Sequence, residues 1–329
     1  MGKALNKKFS VGYNGQKDFF DEVVFPYRKY IASVYSAPPL MLNIPSARIN
    51  PNVSSTELLE LRNELKREKI DFNLVYNFDG ISNPAIAVKL ISTADFYKPD
   101  MITVNGIFTL DLFLQKTKYN LNISIINDIN SLNQLDQLFE GKERKRVISY
   151  NIGRRKTFNL GYIRAVKKKY PKLRLKLMVN EGCVFECPDQ GFHSCSRTMM
   201  RGKFRNSKIF YCDKFQREQY WRFLTGQYIP PKFLIEYLGL IDEFKLATRG
   251  ASTENVVAII EEYVNEKNIT VERAMRSSHG GAGFSKVNFG EKERDLYAIP
   301  YPENFFKIRS SCRHNCYECD YCHKIKNVD

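Results

Sequence analysis

The chain has 329 residues, with 51 lysines and arginines against 36 acids, a formal net charge of +15, 43% hydrophobic and 13% aromatic residues. That much branched aliphatic and aromatic material builds a core, which excludes disordered, collagen-like and low-complexity classes. No apolar run reaches the ~18 residues of a membrane span, and the lysine-containing start lacks the apolar stretch of a secretory leader. The expectation is a soluble cytoplasmic protein whose excess positive charge suits an anionic small molecule or RNA.

Short apolar or alternating runs recur along the chain with helical patterns between them. The strand candidates are Phe9–Tyr13, Ile31–Tyr35, Phe72–Tyr76, Met101–Val104, Asn122–Ile126, Arg146–Tyr150, Arg174–Val179 and Glu243–Ala247. Helices are expected over Ser54–Lys69, with Leu58, Leu59 and Leu65 on its apolar face, and over Asn159–Tyr170 before Pro171. Thr253–Glu266 follows the last strand, with Val256, Val257, Ile260, Tyr263 and Val264 as its stripe behind a Ser/Thr cap. Eight strands alternating with helices match the count of a TIM-like (βα)8 barrel, with an open doubly wound sheet as the other α/β solution. The barrel is expected over residues 1–266, with a cysteine-rich insertion at 181–231 after strand 7 and a C-terminal extension at 267–329.

Asn14, Asn77, Asn105, Asn127, Asn151 and Asn180 each stand just after a strand candidate. Asparagine is a common turn residue, but six at equivalent positions suggest a polar mouth at the strands' C-terminal ends, where barrel chemistry sits.

Eight cysteines fall in two sets. Cys183, Cys187, Cys195 and Cys212 read C-x3-C-x7-C-x16-C directly after the seventh strand, and the first 182 residues contain no cysteine. In a reducing compartment such clustering points to metal rather than disulfides, and the irregular spacing favours an iron–sulfur cluster over a zinc finger. Cys312, Cys316, Cys319 and Cys322 form a dense C-x3-C-x2-C-x2-C run in the tail. Four thiolates there suit a second 4Fe-4S cluster, with zinc as the alternative and His314 and His323 at hand. The first three also spell the C-x3-C-x2-C of radical S-adenosylmethionine enzymes. That motif belongs after a first barrel strand, however, and here a fourth thiol stands close enough to close the site.

The strand Leu173–Val179, the run Asn180-Glu181-Gly182-Cys183-x3-Cys187-Pro188 and His193 together resemble the collagenase-like peptidase superfamily, the unknown-type peptidase family 32. The resemblance is nearest to its cluster-bearing members, which act in anaerobic ubiquinone biosynthesis and RNA hydroxylation. It implies a TIM-like barrel, an oxygen-sensitive 4Fe-4S cluster on four cysteines and oxygen-independent hydroxylation with prephenate as oxygen source. It covers roughly residues 9–260 in order of elements and is specific around Asn180–Cys195. A true peptidase is not supported, because neither H-E-x-x-H nor G-x-S-x-G occurs.

Beside the first cysteine set, His193 is a candidate proton donor or partner to a thiolate, and Glu181 a candidate acid or base. Arg249, just after the last strand, could clamp an anionic substrate. Between Lys142 and Lys176 fourteen basic residues face the single acid Glu143, a density able to bind phosphate backbones, although Lys167–Lys169 read as a solvated helix face. Arg197, Arg201, Lys203 and Arg205 follow the first cysteines, and Gly280-Gly281-Ala282-Gly283 lacks the context of a phosphate loop. The leading expectation is therefore an iron–sulfur barrel enzyme carrying out redox chemistry, with an electron-donor or paralogous subunit as its partner. The alternative is a non-catalytic, metal-stapled module that binds RNA or a protein.

Overall fold

The computed structural model describes residues 7–39, 53–77, 84–140, 142–183, 185, 187, 221–278, 298–316 and 318–325. Eight parallel strands close on themselves in sequence order: β1 Phe9–Gly12, β2 Ile31–Ser36, β3 Asp71–Tyr76, β4 Met101–Val104, β5 Asn120–Ile123, β6 Val147–Asn151, β7 Arg174–Met178 and β8 Glu243–Leu246. Closure is made by β1 against β8, where Ser10 stands opposite Lys245. The fold is thus the expected TIM-like barrel, and the open sheet is excluded.

Alternation along the strands sorts the side chains into two populations. One face carries Phe9, Val11, Phe72, Leu74, Ile102, Leu121, Leu175, Leu177, Phe244 and Leu246, all buried in the layer shared with the surrounding helices. The other carries Ser10, Ser33, Asn73, Thr103, Asn122, Ser149, Lys176 and Glu243, one polar residue from each strand and all buried. That second set lies inside the barrel, because its members meet across non-adjacent strands: Lys176 Nζ on β7 reaches Ser33 Oγ on β2 at 3.4 Å, and Ser33 also donates to Glu243 on β8. Below them Arg174 on β7 pairs with Asp71 on β3 at 3.1 Å.

The helices form where local chemistry starts them. Ser54 accepts from Glu57 N while the Glu57 carboxylate accepts from Ser54 N, a reciprocal cap that opens the helix Ser55–Arg67, whose Leu58, Leu61 and Leu65 are buried. Asn159 caps the helix Leu160–Lys169, which stops before Pro171, and Ser252 caps Thr253–Val264. β5 begins and ends earlier than its pattern suggests. Ser124 accepts from Ile126 N and starts a tight turn over Ile125–Asn127, which Asp128 closes in the left-handed region at φ 45°, so Ile125 and Ile126 leave the sheet.

The C-terminal extension packs on the barrel rather than standing apart from it. Tyr301, Phe305 and Phe306 join the main core cluster, with Phe306 5.9 Å from Phe233 and 5.4 Å from Tyr237, ring to ring. Among the described residues no helix is long and apolar enough to cross a membrane.

Candidate active site at the barrel mouth

Five of the six asparagines stand at the strand ends as their spacing suggests, Asn127 lies in the turn after β5, and four of them bond to the fold. Asn180 accepts from Ala247 N at 2.7 Å and donates to Ala247 O and Ser277 O, tying the end of β7 to that of β8. Asn127 accepts from Gly106 N and donates to Val104 O, and Asn151 donates to Ile123 O at 2.8 Å. Asn14 donates to Ala251 O and Thr253 Oγ1. These four side chains latch neighbouring βα loops together.

Glu181 is almost completely buried and accepts from Arg154 Nε at 2.9 Å, with Arg154 Nη2 at the same distance. The Cys183 thiol also lies 3.5 Å from its Oε1. Burial opposes the charge on Arg154, but the Glu181 carboxylate and the Cys183 sulfur outweigh it and hold the guanidinium more firmly protonated. A carboxylate in such a pair is an oriented anion beside the first cysteine. Arg154 itself comes from the basic run that reads in the sequence as surface charge. Lys176, from the same run, lies inside the barrel 2.8 Å from Glu243, so neither residue is available to a phosphate backbone. Lys167 and Lys169 pair with Asp242 and Asp136 on the surface, in keeping with a solvated face.

Above that pair, on the β8 side of the mouth, three residues missed in the sequence gather around Arg249. The Lys245 ammonium stands 4.2 Å from the centre of the Tyr35 ring, and the Arg249 guanidinium 5.4 Å from the same ring. Tyr35 is fixed by its hydroxyl, which donates to Leu246 O at 2.7 Å. Gly12 completes the group: a Cβ there would stand 2.7 Å from Arg249 Cγ and 2.9 Å from the Tyr35 ring, so only glycine lets the two pack this closely. Lys245 is 6% exposed. Burial, then Arg249 and Lys176, push its amine down to about 7. The available signal was alternation, since Lys176, Glu243 and Lys245 occupy the inward parity of their strands, where a barrel that is a plain hydrophobic core would place aliphatics.

The tail packs against the segment that holds Cys183 and Cys187. Arg309 donates to Thr225 O at 2.6 Å and to Gly226 O, and a Cβ on Gly226 would lie 2.5 Å from Cys183 O. His314, in the left-handed region at φ 57°, stacks on Phe185 with ring centres 3.3 Å apart, and His323 meets Trp221 edge-on at 5.8 Å. Phe185 lies between Cys183 and Cys187, and His314 between Cys312 and Cys316, so two motifs far apart in sequence abut at the mouth. Burial pushes the Cys322 thiol up to about 11; Arg309 counters this, and Cys312, Cys316 and Cys319 add to it. Among the described residues no three His, Cys, Asp or Glu side chains stand in metal-binding geometry. Four soft thiols within one tail motif nevertheless fit a metal–thiolate centre in donor number and type, with Arg309 and Arg222 close enough to offset its negative charge. Cys195, Cys212, His193, Arg197, Arg201, Lys203, Arg205 and the Gly280–Gly283 run lie outside the described residues.

No family model matches the chain. Over 221 residues, 64% of this chain and 65% of the relative, it is 24% identical to an uncharacterized protease of Methanocaldococcus jannaschii. The matched stretch thus spans a little less than two thirds of that curated relative's length. Among solved structures the chain is similar to a U32 peptidase, with a TM-score of 0.47 and 11% identity over 74% of this chain and 94% of that one. It is also similar to a monomeric form of phosphoribosylanthranilate isomerase from Thermotoga maritima, with a TM-score of 0.42 and 8% identity over 79% and 98% of the two chains.

Proposed function

We propose that the chain is a family-32-like barrel enzyme that carries iron–sulfur centres at its C-terminal mouth and performs oxygen-independent redox chemistry, such as hydroxylation, on an anionic small molecule or RNA. The sequence relative, named a protease, supports the coarser half of this reading, a family-32-like barrel. The observation that carries the finer half is the Phe185–His314 stack, which sets the tail's thiols against the Cys183–Cys187 segment beside a buried Arg154–Glu181 pair. Barrel chemistry sits at this C-terminal face, which is where the tail motif is docked.

In this reading Cys183, Cys187, Cys195 and Cys212 hold one 4Fe-4S centre, and Cys312, Cys316, Cys319 and Cys322 hold a second. Such a centre, when bound, supplies one-electron redox capacity at the mouth. The residues of the chain do the rest. Arg154 fixes the Glu181 carboxylate beside Cys183, His193 is the proton donor, and Arg249 receives the anionic group of the substrate.

The test is the iron, sulfide and zinc content of protein purified without oxygen, as wild type and as Cys183→Ala and Cys316→Ala. Two independent centres give about eight irons per chain, falling by about four in each variant. Loss of the same irons in both variants means one centre fed by both motifs. Zinc without iron removes the redox reading and leaves a metal-stapled module that binds RNA or a protein.

A further inference from the structure

One buried charge at the mouth is left unused by the metal–thiolate reading. Lys176 is answered by Glu243, and Arg154 by one oxygen of Glu181, so neither carboxylate near Lys245 is without a cation of its own. The Lys245 ammonium makes no hydrogen bond or ion pair among the described residues, although it is 6% exposed. What it touches is the face of Tyr35. A ring quadrupole is a weak substitute for a hydration shell, and the groups in electrostatic reach do not restore the charge. Burial pushes the amine down most, Arg249 and Lys176 add to this by repulsion, and Glu243 and Glu181 only partly counter it. A structural lysine would be paired, as Lys176 is. An exposed one would be solvated.

The surroundings also define what could approach. On β7 Met178 stands opposite Lys245 in register, and with Ile125 and Ala247 it forms a small apolar cluster at the mouth, separate from the main core. On the other side lie Tyr35 and the Arg249 guanidinium. A neutral amine between an apolar wall and a fixed cation is the arrangement that condenses with a carbonyl carbon while an adjacent carboxylate is held.

We propose that Lys245 is a nucleophilic amine that forms an imine with small 2-oxo acids, the substrate carboxylate resting on Arg249. The neutral Nζ adds to the carbonyl carbon to give a carbinolamine, and the carbonyl oxygen then leaves as water with two protons, one from the amine and one from solvent. The resulting imine is protonated, and no oxidant or reductant takes part. This inference does not rest on the iron–sulfur reading, because it needs only the barrel.

The full chain is incubated at pH 7.5 with glyoxylate and, separately, with acetaldehyde, which has the aldehyde without the carboxylate. Sodium cyanoborohydride traps any imine as a secondary amine, and peptide mass spectrometry locates it. Labelling of Lys245 by glyoxylate at least tenfold faster than at surface lysines such as Lys168 and Lys307 is expected, with Arg249→Met erasing the advantage of glyoxylate over acetaldehyde. Lys245→Met and Lys245→Arg both lose the label, and because the wild-type map alone locates it, a variant that fails to fold does not decide the matter. Equal labelling of Lys245 and surface lysines overturns the proposal. So does glyoxylate that shields Lys245 from acetaldehyde without itself being trapped there, which would make the site one for anions only.

Discussion

Lys176 and Lys245 lie on adjacent strands, both buried on the inward side of the barrel, yet they live in opposite circumstances. Lys176, deeper in, is 2.8 Å from Glu243 and within reach of Ser33. Lys245, nearer the mouth, has an aromatic face and a neighbouring guanidinium instead. Burial pushes Glu243 up, but the Lys176 ammonium and the Ser33 hydroxyl more than compensate and hold its carboxyl below the usual range. The same strand pair therefore contains one charge that is locked in place and one that is readily given up. A paired charge holds a barrel together, and an unpaired one at its open end is available for chemistry.

Removing the counter-charge breaks the comparison most directly. Glu243→Gln leaves the Lys176 ammonium buried without its carboxylate, and a loss of about 3–5 kcal/mol of unfolding free energy at pH 7 is expected from chemical denaturation. The variant would then have two unanswered lysines in one barrel, and its remaining stability should rise as pH is raised.

Lys245→Met tests the other side and has the opposite sign. The folded-state pKa of about 7 lies below the ~10.4 of an unfolded lysine, so between those values the unfolded chain binds more protons than the native one. Wild-type stability accordingly rises with pH through that window, and the cost of the buried ammonium is fully felt below it. Methionine fills similar volume without the charge. The variant should gain about 4–5 kcal/mol at pH 6, and the gain should fade towards pH 10. A pH-independent difference in denaturation midpoint would show that Lys245 keeps its proton throughout.

Gly12→Ala tests whether the Tyr35–Arg249 arrangement depends on close packing. The new methyl group would lie 2.7 Å from Arg249 Cγ and 2.9 Å from a ring anchored to Leu246 O, so Arg249 must swing away. A cost of about 1–2 kcal/mol is expected by denaturation. With Arg249 displaced, one of the repulsive charges on Lys245 is gone, and the apparent pKa of that amine, read from the pH dependence of labelling, should rise.

The barrel is legible in the sequence because its outward strand faces, such as Phe72, Leu74 and Tyr76, are apolar and recur with capped helices between them. The inward faces are harder to recognise. Ser10, Ser33, Asn73, Thr103, Asn122 and Ser149 read one by one as ordinary polar residues, and only the closed register shows that they form a single internal layer. Charge misleads for the same reason: Arg154 and Lys176 sit in a run that also holds the solvated Lys167–Lys169, and their partners Glu181 and Glu243 are 27 and 67 residues away. The cysteine sets stand out by spacing alone. The packing of the tail against the Cys183–Cys187 segment does not, because it depends on Phe185 and His314, neither of which stands out in the sequence as a thiol does.

The smallest effects separate the two halves of the internal layer. Ser33, next to the charged strands, bonds to Ser10 at 2.8 Å and to Glu243, and it lies 3.4 Å from Lys176. Ser149, on the neutral side, is as deeply buried, yet its hydroxyl has no hydrogen-bond partner among the described residues. Ser33→Ala strips a hydroxyl from a carboxylate and should cost about 1–2 kcal/mol, since hydrogen bonds to charged groups are the stronger ones. Ser149→Ala removes a buried polar atom that nothing answers, so it should be neutral within about 0.5 kcal/mol or slightly stabilising. Two serines of equal burial, replaced identically, thus report whether the layer's polarity serves the fold or only the Lys176–Glu243 pair. Equal costs at both positions would mean that the neutral strands hold their polar atoms as tightly as the charged ones, and the contrast between the two sides of the barrel would vanish.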